Sequence, residues 1–174
     1  MSRFKASRDG SVRATFTEPE VALLRSLPEE LHGVYSLEND GDPARARLFP
    51  SAYLDPTEEH AEEEWQELVH PELLRERLEG LARIGELLDG AEVNRRGDIV
   101  LSLEPDSVSS LLALLNDARL TLGTRLDVTE ETDFEALDPD DPRTPGLAAY
   151  AWLTYLEGDL VEALLGRMPE TGTD

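Results

Sequence analysis

The chain has 174 residues, no cysteine and a net charge of −22. That length fits one domain, residues 1–174, with a core that needs no staple, and the missing cysteines exclude disulfides, thiolate nucleophiles and Cys-based zinc sites. The charge argues against a sequence-independent grip on nucleic acid and against anionic membrane surfaces, and no signal-like or membrane-length apolar run occurs, so a cytoplasmic protein is expected.

The bases are unevenly spread. Arg3, Lys5, Arg8 and Arg13 make a small basic end, whereas residues 55–67 and 126–142 contain no lysine or arginine. Asp9-Gly10 separates Phe4 and Ala6 from Val12, Ala14 and Phe16. Alternation on both sides of a dipeptide that favours tight turns predicts a β-hairpin. Thr17 and Glu20 then form a capping box for a helix with the stripe Val21, Leu24, Leu27, Leu31 and Tyr35. Pro28 lies inside that stripe, predicting either a kink or a second helix capped by Ser26. Residues 38–47, ENDGDPARAR, read as a polar loop. In residues 47–56, RLFPSAYLDP, two prolines oppose helix, and Phe49 and Tyr53 are expected as aromatic anchors across the core.

Asp55-Pro56 is a cap followed by a first-position proline, and Ala61, Trp65, Leu68 and Val69 are the expected buried face of the helix it starts. Pro71 starts another, with Leu74, Leu78, Leu81, Ile84 and Leu88 at helical spacing and Gly90 as a left-handed terminator. Arg95, Arg96 and Gly97 join two short runs, the second alternating at Ile99, Leu101 and Leu103. A second hairpin follows, able to combine with the first into one small sheet. Thr132–Leu137 is read as one helical turn inside an acidic loop. Thr144-Pro145 opens a last helix, lined by Trp152, Leu153, Leu156, Leu160, Ala163 and Leu164. It ends at Met168-Pro169, and residues 170–174 are expected to fray. The predicted fold is mainly α: a helical bundle around a central helix at about 108–125, with a small antiparallel β element.

That central stretch, LLALLNDARLTLGTRLDV at 111–128, is apolar around much of its circumference. Leu111, Leu115, Ala118, Leu122 and Leu126 fall along one side, and Leu112, Asn116, Arg119 and Gly123 along a neighbouring line. A helix of this kind must be covered by several neighbours, which places Asn116 and Arg119 at or near the interior as a bonded network. Gly123 is expected to admit another backbone at close range.

The segments LLNDARLTLGTRLDV and RLFPSAYLDP resemble an actinobacterial family, once classed as a domain of unknown function, that is named for the oxidative stress regulator AosR. The resemblance extends over most of the chain. It implies a cytoplasmic, non-enzymatic regulator that contacts the transcription machinery, a sigma factor or RNA polymerase, in the stress response. Asn116, Asp117, Arg119, Gly123, Thr124 and Arg125 carry over as motif residues. In the family a cysteine pair forms a disulfide on oxidation; this chain has no cysteine, so that switch cannot operate here.

Other chemistry is sparse. His60 and Glu63 share a helix face without the second histidine that a zinc unit needs. Asp138, Asp140 and Asp141 read as a solvated loop. No phosphate loop and no glycine-flanked nucleophilic serine occurs. No enzyme, cofactor or metal is expected. The competing reading is a small-molecule or metal-binding helical domain with a pocket near Asn116 and Arg119.

Overall fold

In a computed structural model of the chain, residues 3–36, 41–52 and 55–166 are described. Strand β1 (Phe4–Ala6) and β2 (Val12–Phe16) form the expected hairpin, with Gly10 at φ +96° in its turn. Helix α1 (Glu18–Tyr35) follows. The Glu20 carboxylate accepts from the Thr17 N–H at 2.8 Å and from its hydroxyl at 2.9 Å, closing the capping box. Of the two readings of Pro28, the structure has one helix running through it. The Ser26 hydroxyl turns back to the Leu23 carbonyl at 2.9 Å and caps no new helix.

The polar loop expected at 38–47 is partly helix. Helix α2 (Pro43–Leu48) starts where the Asp42 carboxylate accepts from the amides of Ala44 and Arg45, and it buries Ala44 and Leu48 against the central helix. The composition around it is polar, but Asp-Pro is the same cap-and-start signal that opens the next element. There Asp55 accepts from the Thr57 amide at 2.9 Å over a 3-10 turn (Pro56–Glu58), and α3 (Glu59–Leu68) continues. The expected buried face of α3 is not realised. Leu68 is 76% and Val69 42% exposed, and Ala61 and Trp65 are half-buried. Among the described residues helix α3 packs chiefly against α4, and its apolar positions are shared with solvent.

Helix α4 (His70–Asp89) buries Leu81, Ile84 and Leu88, with Leu74 and Leu78 partly covered, as the spacing predicts. Gly90 ends it at φ −88°, not in the left-handed region. Strands β3 (Glu92–Val93) and β4 (Ile99–Leu103) form the second hairpin, with Gly97 at φ +86° in its turn. The two hairpins join into one antiparallel sheet of order β1-β2-β4-β3, through pairs such as Val12 with Leu103 and Ala14 with Leu101.

Helix α5 (Pro105–Arg125) is the central helix and touches α1, α2, α4, α6 and β4. Residues 126–143 contain no helix. The Asp133 carboxylate takes the amides of Glu135 and Ala136, a local turn in place of the expected helical one. Helix α6 (Thr144–Leu165) closes the fold. Thr144 is its first residue and not its cap, and its hydroxyl donates to the Asp138 carbonyl. Leu153, Leu156 and Leu160 are fully buried. Phe4, Phe16, Leu24, Leu115 and these leucines belong to one cluster between the inner face of the sheet and the helices. The structure is therefore mainly α with a small antiparallel sheet, organised around α5. Tyr53, Leu54, Met168 and residues 170–174 lie outside the described residues.

Candidate functional site

The motif stretch sits on α5, and its one buried charged residue is Asp117, 2% exposed. Its Oδ2 accepts from the Tyr35 hydroxyl at 2.6 Å and from Nη1 of Arg77. Tyr35 belongs to α1 and Arg77 to α4, so one carboxylate oxygen pins three helices. A buried carboxylate is tolerable only when it is paired and hydrogen-bonded, and both conditions hold. Burial, then the neighbouring carboxylate, push the Tyr35 hydroxyl far above its ordinary range. Burial works against the Arg77 charge, but the Asp117 carboxylate outweighs it and raises its pKa.

Phe49 stands beside this pin, 8% exposed. The guanidinium carbons of Arg45 and Arg77 each lie 5.1 Å from its ring centre. Tyr35 meets it edge-on at 5.6 Å and His70 at 5.1 Å. Aromatic edges and cations are attracted to a π-face, so Phe49, at the end of α2, packs against α1 and α4. The second anchor, Tyr53, is outside the described residues.

Asn116 and Arg119 are half-buried, closer to the surface than their neighbour. Arg119 donates to Asn116 Oδ1 at 3.1 Å, and its Nε lies 3.0 Å from Glu157 on α6. These contacts lie at the edge of the α5–α6 contact, whereas the deep position belongs to Asp117. Gly123 admits a side chain where a backbone was expected. A Cβ there would lie 3.0 Å from the Tyr150 ring, which in turn stacks on Phe134 at 5.5 Å. Thr124 bonds back to the Leu120 carbonyl at 2.8 Å, and Arg125 is exposed. Leu122 and Leu126 are partly covered, not buried with Leu111, Leu115 and Ala118.

Three clefts border these residues, and one of about 530 Å³ is lined by Tyr35, Arg77, Arg83 and Ser110 at the Asp117 pin. A second of about 320 Å³ lies between Arg47, Arg119, Thr124, Asp127 and Tyr150. A third of about 500 Å³ opens between Arg45, Phe49, Ser51, Gln66 and His70. Among the described residues, no group of three or more His, Asp or Glu is placed to hold a metal ion. His60 and Glu63 stand 3.8 Å apart on an exposed face, and Asp141 is engaged by Arg143.

Asp117 stands out in the sequence but its partners do not, and Tyr35 falls among the apolar positions of α1. Arg77 has a detectable signal: it stands three residues after Leu74 and four before Leu81, inside the buried stripe of α4. A cation there needs an acid on the facing helix.

The family model described as a domain of unknown function, DUF2017, matches residues 1–164. No curated protein and no solved structure matches the chain. Among the described residues no helix is long and apolar enough to cross a membrane.

Proposed function

The chain belongs to the DUF2017 family, and from that premise we propose that it is a cytoplasmic, non-enzymatic regulator acting by contact with the transcription machinery. A sigma factor or RNA polymerase is the partner that the resemblance to the AosR family implies. One observation carries the non-enzymatic part. Part of the polar motif is engaged within the protein, Asp117 with Tyr35 and Arg77 and Arg119 with Asn116 and Glu157, while Arg125 is exposed. A carboxylate whose Oδ2 already accepts from a tyrosine and an arginine inside the core is poorly placed as a general base, and a guanidinium paired with a carboxylate is a poor oxyanion donor. The motif then serves as a scaffold whose surfaces make contact. With no cysteine in the chain, whatever signal it answers is not a thiol–disulfide exchange of its own.

The test is direct binding of the purified chain to purified sigma factors and core polymerase from the same cells, read by interferometry. Saturable binding to one of them is expected, and binding to none refutes the reading. The cleft beside Arg119 and Thr124 favours a second reading, a small-molecule-binding domain. Native mass spectrometry of protein purified from its own cells separates the two. A retained ligand lost in Arg119→Ala supports the second, and a bare protein counts against it.

A further inference from the structure

We infer that the outer face of the sheet is a docking surface for an acidic peptide segment of a partner protein. Strand alternation turns Phe4, Val12, Ala14, Phe16, Leu101 and Leu103 toward the helices, where all are buried. It turns Lys5, Arg13 and Ser102 outward, where all are exposed. The register sets Lys5 directly opposite Arg13, and Arg13 opposite Ser102. Like charges facing each other across a ladder are destabilising, so this pair works against the fold that carries it.

The turn between β3 and β4 brings Arg95 and Arg96, both exposed, to the same cleft, which measures about 640 Å³. Arg3 lines it too, held 2.7 Å from Glu20. The acids of the cleft are engaged: Glu20 accepts from Arg3 and Thr17, and Asp98 from Asn94. Lys5, Arg13, Arg95 and Arg96 form no ion pair among the described residues. In a chain with 38 acidic residues against 16 basic ones, these four cations, with no ion pair among the described residues, stand together on one face.

Charge complementarity names an anion-rich occupant. Its class follows from what else lines the cleft. The floor is Val100, and Thr15 and Asn94 stand among the bases as short hydrogen-bonding groups. The one aromatic of the lining, Phe16, is 1% exposed and capped by Arg3 at 5.4 Å. Single-stranded nucleic acid is held by exposed stacking aromatics as much as by charge, and this face has none. The net charge of −22 also repels a polyphosphate strand more than a short carboxylate-bearing segment. An extended acidic peptide matches the flat face, the spaced cations and the apolar floor.

The inference rests on the reading above only in taking the occupant to be protein. The experiment titrates the full chain into a fluorescein-labelled Glu-rich peptide and follows anisotropy. Saturable binding is expected, weakened by at least about tenfold in Arg95→Ala/Arg96→Ala and in Lys5→Thr/Arg13→Thr. Both variants change exposed side chains, and thermal unfolding of each is expected no lower than that of the parent. No saturable binding, or equal binding by both variants, overturns the inference. So does tighter binding of a labelled oligothymidine, which would make the face a nucleic-acid site. Concentration-dependent dimerisation abolished by the same substitutions overturns it in favour of a second copy. Peptide binding without sigma-factor binding refutes only the proposed function. Sigma-factor binding that survives both variants refutes only this surface.

Discussion

Two charged regions of the molecule are built on opposite terms. At Asp117 a single carboxylate is buried to 2% exposure, and its Oδ2 is bonded by groups from two other helices. On the outer sheet face, Lys5 and Arg13 are exposed, directly opposed and unpaired among the described residues. The first arrangement is what a fold needs from a charge it cannot hydrate. The second gives the fold nothing and remains available to an outside partner. Charge that is consumed internally marks the scaffold, and charge that is left unpaired against its own neighbour marks the contact.

The largest expected effect breaks the scaffold side. Asp117→Ala leaves the Arg77 charge half-buried without its partner and is expected to destabilise the fold by about 3–5 kcal/mol, measured by urea unfolding. A loss below about 1 kcal/mol would mean that the pin does not hold the helices together. Tyr35→Phe removes one bond to the same carboxylate but keeps Arg77 and the ring contact with Phe49. Its expected loss is about 1–2 kcal/mol, and a loss equal to that of Asp117→Ala would contradict the sharing of the load between tyrosine and arginine.

Glu20 sits between the two regions, closing the α1 capping box and holding Arg3 at the rim of the basic cleft. Partial burial raises its pKa, but the bonds from Arg3 and Thr17 outweigh this and hold it at about 2, against an ordinary 4.5. A carboxyl depressed in the folded state stabilises fully above the unfolded pKa, and that contribution is lost as pH falls through the folded value. Stability should therefore decline between pH 4.5 and about 2. Glu20→Gln should flatten that window by on the order of 1 kcal/mol after solvent screening. Parallel stability curves for the two proteins would count against the ion pair.

The smallest effect has the opposite sign. Lys5→Thr relieves the like-charge pair and should raise stability by a few tenths of a kcal/mol, seen as a slightly higher Tm. A lower Tm would show that the two cations are not in conflict.

Much of this architecture can be read from local pattern. Both hairpins, α1, α4, α5 and α6 follow from alternation, helical spacing and the Asp-Gly, Thr-x-x-Glu and Thr-Pro signals, because these act within a few residues. Helix α2 is hidden by its polar surroundings although Asp42-Pro43 is an ordinary start signal. The face of α3 is misjudged because spacing shows that a stripe exists but not whether a second element covers it. The two functional candidates are the least legible for the same reason. Asp117 meets Tyr35 across 82 residues and Arg77 across 40. The basic cleft arises only when β2 pairs with β4 and brings residues 3–13 beside residues 95 and 96. Its bases are visible one by one in the sequence, and their convergence is a property of the sheet.

The contrast between the two regions is tested most directly by titrating the labelled Glu-rich peptide with three proteins: the parent, Tyr35→Phe and Arg95→Ala/Arg96→Ala. The account expects Tyr35→Phe, though less stable, to bind as the parent does below its unfolding transition, and the double arginine variant, though fully stable, to lose at least about tenfold in affinity. Loss of binding in Tyr35→Phe together with retention in the arginine variant would contradict it.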